Sequence, residues 1–129
     1  MAIRIVRLGT PREPGEGPRF ATVRRPPRGV RREDCARLDY FDLWLPDLAP
    51  SPPLLSYAKS QPLTPARWQT FARRYRSEMR APAARRLLAM LAALSAQANF
   101  SVGCYCADGS RCHRSLLRKL LVEAGATLL

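Results

Sequence analysis

The chain has 129 residues, 47% of them hydrophobic and 25% charged, which is enough for one domain with a hydrophobic core and no need of disulfide staples. It holds no apolar run of the roughly 18 residues that a membrane-spanning helix requires. Its formal net charge is +12, carried by 20 Arg and 2 Lys against 10 acids, which reads either as the mark of an anionic small-molecule or nucleic-acid partner or as the Arg-rich, Lys-poor composition of a GC-rich genome; no membrane partner is expected.

The first residues, Met1-Ala-Ile-Arg-Ile-Val-Arg-Leu, lack the architecture of a signal peptide. Ile3, Ile5 and Leu8, with Val6 between, predict a buried first strand. The cytoplasm is the expected compartment, where cysteines stay reduced unless they are catalytic or metal-bound. Thr10 to Pro18 is punctuated by Pro and Gly and reads as a loop. Arg19 to Val23 alternates as a second strand, ended by Pro26-Pro27-Arg28-Gly29 because proline cannot continue a ladder. Arg31 to Arg37 has room for one or two helical turns. Tyr40 to Leu45 is apolar enough for a third strand, stopped at Pro46. Pro50-Ser-Pro-Pro is a linker or a helix start.

The helices are clearer. Thr64 is a natural N-cap and Pro65 a natural first helical residue. Trp68, Phe71, Ala72, Tyr75 and Met79 then recur at three- and four-residue steps as one apolar core stripe. Arg73, Arg74, Arg76, Arg80, Arg85 and Arg86 fall between and read as a solvated face. Ala81-Pro82 breaks the pattern, and a further helix follows with Leu87, Leu88, Leu91 and Leu94 on one side. Phe100 to Tyr105 reads as an interior strand. The last helix is expected from Ser110 to Ala124, with Leu116, Leu117, Leu120 and Leu121 inward and Gly125 as its stop. Strands early and late with helices between predict a single α/β domain over residues 1–129, a mixed or mostly parallel sheet covered by helices.

The chemistry concentrates at the last strand–helix junction, Cys104-Tyr-Cys106-Ala-Asp108-Gly-Ser-Arg111-Cys112-His113-Arg114-Ser115. Three of the 4 cysteines and the 1 histidine lie there. Side chains alternate along a strand, so Cys104 and Cys106 share a side and Tyr105 takes the other. Ser110 is the expected cap, placing Arg111, Cys112 and His113 in the first helical turn. The unpaired N–H groups of that turn, with Arg111, Arg114 and Ser115, suit phosphate or carboxylate and also lower a nearby thiol's pKa. Ligands of open α/β sheets bind beyond the carboxyl ends of the strands, where this loop lies.

Four readings stand side by side. In the first, Cys106 or Cys112 is a nucleophile, His113 is an acid/base, and the arginines hold an anionic substrate. In the second the cluster binds zinc, although Cys-x-Cys is tight and adjacent Cys112 and His113 fit one tetrahedral ion poorly. In the third, Cys106 pairs with Cys112 or Cys104 in redox chemistry. In the fourth the cysteines are small apolar core residues. No metal and no cofactor is expected. Cys35, alone in an Arg-rich segment, reads as structural. A phosphatase Cys-x5-Arg loop is excluded, because Cys106 to Arg111 is one residue short and Cys104 to Arg111 one too long.

The same junction resembles the signature of the family called domain of unknown function 488. Arg24-Arg25-Pro26-Pro27-Arg28-Gly29-Val30, Leu45-Pro-Asp-Leu-Ala-Pro50-Ser51 and Trp68-Gln-Thr-Phe71-Ala-Arg-Arg-Tyr75-Arg76 are similar to its short, YeaO-like branch. The resemblance covers nearly the whole chain and implies an α/β fold. Two positions depart from the branch: Val23 stands where it has Asp, and Pro26 where it has Trp. Arg24, Arg28 and Gly29 remain. Together with the junction they suggest that Arg24 and Arg28 converge with Arg111 and Arg114 on one anion, since the guanidinium fork binds phosphate oxygens in pairs. Asp108 or Asp39 would orient one Arg, Cys104 would support the nucleophile, and Tyr40, Trp44 or Tyr105 would stack on a base. A non-catalytic module binding nucleotide or nucleic acid would use the same arginines.

Overall fold

Strand β4, Phe100–Cys104, is buried at all five residues and holds the centre of the sheet. A continuous apolar run suits this place, because both faces of a parallel sheet are covered. The computed structural model describes residues 1–106 and 112–129. β4 pairs in parallel with β1 (Ile3–Arg7) on one side and β2 (Arg19–Ala21) on the other. β2 carries the short β3 (Leu43–Trp44) at the far edge. The order is β1-β4-β2-β3, and all four strands are parallel, which narrows the sequence expectation of a mixed or mostly parallel sheet.

The two short strands are shorter than the sequence predicts, for identifiable reasons. The β2 ladder stops at Ala21, with Pro26 and Pro27 close behind. β3 begins only at Leu43. Asp39 takes a left-handed backbone (φ 62°), and the Tyr40 N–H donates to the Cys35 carbonyl, so Tyr40 belongs to a turn. The Asp42 carboxylate accepts from the Arg19 backbone N–H at 2.7 Å, standing where a ladder carbonyl would be.

Four α-helices lie among the described residues: α1 (Pro52–Ser60), α2 (Pro65–Glu78), α3 (Pro82–Leu94) and α4 (His113–Glu123). Pro50-Ser-Pro-Pro is a helix start, with the Ser51 hydroxyl accepting from the Leu54 N–H. Thr64 caps α2 through the Arg67 N–H, as its side chain allows. The stripe of α2 delivers Phe71, Tyr75 and Met79 to the core. α3 contributes Leu88 and Leu91, whereas Leu94 has already turned outward, 41% exposed. α4 buries Leu116, Leu117 and Leu121, and Gly125 stops it at φ 92°. No helix among the described residues is long and apolar enough to cross a membrane.

Two contacts fix the frame around the site. Arg19 and Glu16 form a buried ion pair at 2.5 Å, and the guanidinium also donates to the carbonyls of Thr10, Pro11 and Asp39. These bonds satisfy a charge that would otherwise be costly to bury. The second contact is at Gly103, where β1 comes so near that a Cβ would stand 2.3 Å from the Val6 carbonyl oxygen. That neighbour is backbone and cannot move aside. Gly103→Ala is therefore expected to destabilise the domain by at least about 1–3 kcal/mol. A denaturant midpoint equal to the wild type's would show that β1 and β4 are not packed this closely.

Candidate functional site

The main chain leaves β4 at Cys104 and enters α4 at His113, so both ends of the junction are held by regular structure. The helix starts later than the sequence suggests. Cys112 has an extended backbone (φ −120°, ψ 153°) and is the N-cap residue, with His113 the first residue of the helix. The first turn thus begins after Cys112 instead of containing it. Ser110, Arg111 and Asp108 lie outside the described residues.

The sulfurs of Cys104, Cys106 and Cys112 all lie within 4.8 Å of one another. The Cys104 and Cys106 sulfurs lie together although Cys106 is beyond the end of β4, and Tyr105 packs edge-on against Tyr40 at 6.0 Å. Cys104 and Cys112 are buried and their sulfurs are 2.8 Å apart, whereas Cys106 is exposed.

His113 is buried beside them. Its Nε2 is 2.6 Å from the Thr22 carbonyl oxygen. A carbonyl only accepts, so Nε2 carries the proton of the neutral ring and Nδ1 keeps a lone pair. Nδ1 lies 3.6 Å from the Cys112 sulfur. The imidazole packs on the Tyr75 ring at 5.7 Å. Burial holds its pKa below the ordinary histidine value, despite the bond to Thr22. Arg114, also buried, donates to the Cys106 carbonyl at 2.8 Å, and the Ser115 hydroxyl donates to the Cys112 carbonyl at 2.9 Å.

The three thiols do not titrate alike. The Cys106 thiol is lowered by hydrogen bonds from Cys104 and Cys112, with help from the charge of Arg114 and against the cost of desolvation. Cys104 is raised by hydrogen bonding with Cys106 and Cys112, which compete for its single proton, and by burial. Cys112 is pulled down by Cys104, but its bond to Cys106 and its burial outweigh this and leave it raised. The arrangement favours one thiolate, on the sulfur that reaches solvent.

The structure thus brings together Cys104, Cys106, Cys112, His113, Arg114 and Ser115. Arg24 donates instead to the carbonyls of Ala49 and Pro50, both at 3.2 Å. Arg28 is exposed in the turn made by Gly29 at φ 73°. Asp39 pairs with Arg12 at 3.2 Å, and the Trp44 indole donates to the Val23 carbonyl at 2.7 Å. Cys35 is buried and structural, its thiol donating to the Arg31 carbonyl. The sequence reading missed the Thr22 carbonyl and the Tyr75 ring as supports of His113. A backbone acceptor leaves no signal in residue type, and Tyr75 reads only as part of the core stripe.

The adjacency of Cys112 and His113 does not keep their donor atoms apart, since 3.6 Å between Sγ and Nδ1 suits two ligands of one ion. His113 is nevertheless not part of the mutually close set, which is the three sulfurs alone. Among the described residues no fourth ligand joins the three thiols, a set that fits an open site better than a closed structural one.

The fold and the junction define a parallel α/β domain with a cysteine–histidine site at the carboxyl end of its central strand. The chain matches the model of the active DUF488-N3 subclade, DUF488-N3a, over residues 3–125, and it belongs to that family. No curated protein and no solved structure matches it.

The buried, neutral His113 makes stability depend on pH. Below the ordinary histidine pKa of about 6.5 the unfolded chain binds a proton that the native ring resists, so stability falls as pH drops through that value. Denaturant midpoints measured from about pH 7.5 to about pH 5 are expected to decline, and to decline less in His113→Gln, whose amide still donates to Thr22. Equal slopes in both proteins would mean that His113 ionises freely in the native state.

Proposed function

We propose that this protein is an enzyme in which the Cys106 thiolate attacks a phosphorylated or nucleotide-like anionic substrate at the start of α4. The observation that carries the reading is the inequality of the three sulfurs, two buried and one exposed, all within 4.8 Å. Two thiols close to one sulfur can hydrogen-bond to it and favour its ionised form, which is the reactive form of a thiol. Arg114 adds positive charge, and the first N–H groups of α4 favour an anion nearby. In this reading Arg111 and Arg114 hold the substrate. His113 serves as acid/base through Nδ1, with Cys112 between it and the nucleophile. Reduced thiols suit the cytoplasm, the proposed compartment.

The three-sulfur set favours a second reading, an open thiolate metal site. Elemental analysis of protein purified without added metal separates the two. About one zinc per chain would make Cys104, Cys106 and Cys112 ligands and remove Cys106 as nucleophile.

Alkylation by iodoacetamide, followed against pH with each labelled peptide read by mass spectrometry, tests the thiolate itself. Cys106 is expected to react well below the ordinary thiol pKa of about 8.5, while Cys104 stays unlabelled. Inorganic phosphate is expected to slow this labelling saturably. Ordinary ionisation of all four cysteines would sink the nucleophile and leave a non-catalytic nucleotide- or nucleic-acid-binding module. A reactive Cys106 that phosphate does not protect would sink the substrate class.

A further inference from the structure

Resting on the reading of Cys106 as the exposed thiolate, we propose that Cys106 is also an oxidation site for hydroperoxides, with Cys112 as the resolving thiol that closes a reversible disulfide and switches the site off. The juxtaposition is specific. One exposed sulfur lies within 4.8 Å of two buried ones, so an oxidised Cys106 has a partner at hand before a second oxidant arrives.

Geometry chooses between the two partners. Cys104 ends β4, aligned with Arg7 of β1, and its carbonyl accepts from the Leu8 N–H at 2.8 Å. The ladder pins it, and a single residue, Tyr105, at a bend beyond the strand, separates it from Cys106. A disulfide across one intervening residue closes a very small ring and departs from the relaxed bridge geometry, which stores strain. Cys112 belongs to no strand and stands at the N-cap of α4. It also has a proton acceptor, the Nδ1 lone pair of His113 at 3.6 Å.

The chemistry balances in two steps. The Cys106 thiolate attacks one oxygen of the hydroperoxide, an S–O bond forms, and the O–O bond breaks. The alkoxide or hydroxide that leaves takes a proton, so sulfur is oxidised to sulfenic acid and the peroxide is reduced to alcohol or water. Cys112 then gives its proton to His113 Nδ1 and attacks the Cys106 sulfur. The S–S bond forms, the S–O bond breaks, and the departing hydroxide takes the proton from His113 to give water. The sum is two thiols and one hydroperoxide to one disulfide, one alcohol or water, and one water.

The test treats the full chain with one equivalent of hydrogen peroxide, blocks free thiols, and maps peptides without reduction. Cleavage after Arg111 separates Cys112 from the peptide holding Cys104 and Cys106, so a bridge to Cys112 appears as a cross-link. The expected product is Cys106–Cys112, reversed by dithiothreitol, with near-complete loss of iodoacetamide labelling at Cys106 while it persists. Cys112→Ser, which places a favoured N-capping residue at that position, is expected to give sulfenic and then sulfinic acid at Cys106. Cys104→Ser is expected to keep the cross-link, and it carries the test if the other variant folds poorly. A first-formed bridge that includes Cys104, or sulfinic acid at Cys106 of the wild type with no bridge, would overturn the proposal. Alkylation of the untreated protein at mildly acidic pH keeps the two readings distinct. A reactive Cys106 that forms no bridge removes the switch alone, and an unreactive Cys106 removes the nucleophile with it.

Discussion

The hydrogen bond from His113 to the Thr22 carbonyl joins the start of α4 to the end of β2, at the place where the chemistry lies. A buried carbonyl left unpaired there would cost about 1–3 kcal/mol, so the bond is part of the fold as well as of the site. It also settles which ring nitrogen carries the proton. With Nε2–H committed, Nδ1 faces the Cys112 sulfur, and Cys112 in turn packs on Cys104 at the end of the central strand. The placement of the imidazole and the lone pair it turns toward Cys112 therefore follow from one backbone acceptor.

Charge is distributed within this frame by competition between burial and hydrogen bonding. Burial alone would keep all three thiols protonated. Hydrogen bonding with the neighbouring thiols lowers exposed Cys106 instead, and the cost appears as raised values for Cys104 and Cys112. The same logic holds Arg19 away from water, where Glu16 and three carbonyls replace its hydration. Arg19 ties the loop after β1 to the turn before β3, and Gly103 lets β1 close on β4.

Much of this was legible in the chain because it depends on periodicity. The apolar run at Phe100, the stripe from Trp68 to Met79, and the capping residue Thr64 each follow a local rule, and the structure keeps each of them. Strand limits were less legible, because Asp42 and Asp39 end or delay a ladder through side-chain and left-handed backbone contacts that cross the sequence. The crowding of cysteines and histidine located the site. Its internal order was not readable, since the choice of Cys106 as the exposed sulfur and of Thr22 as the acceptor arises only when β2, β4 and α4 meet. Arg24 shows the converse. Its residue type suits an anion, yet its guanidinium is held by the carbonyls ahead of α1.

The central claim is that a single thiolate exists at neutral pH and that it resides on Cys106. Nuclear magnetic resonance of protein labelled with 13C at cysteine Cβ, titrated with pH, reads each sulfur separately. Cys106 is expected to show a thiolate-like shift throughout the neutral range, with Cys104 and Cys112 remaining thiols. Thiol-like shifts for all three until above their ordinary pKa of about 8.5 would contradict it.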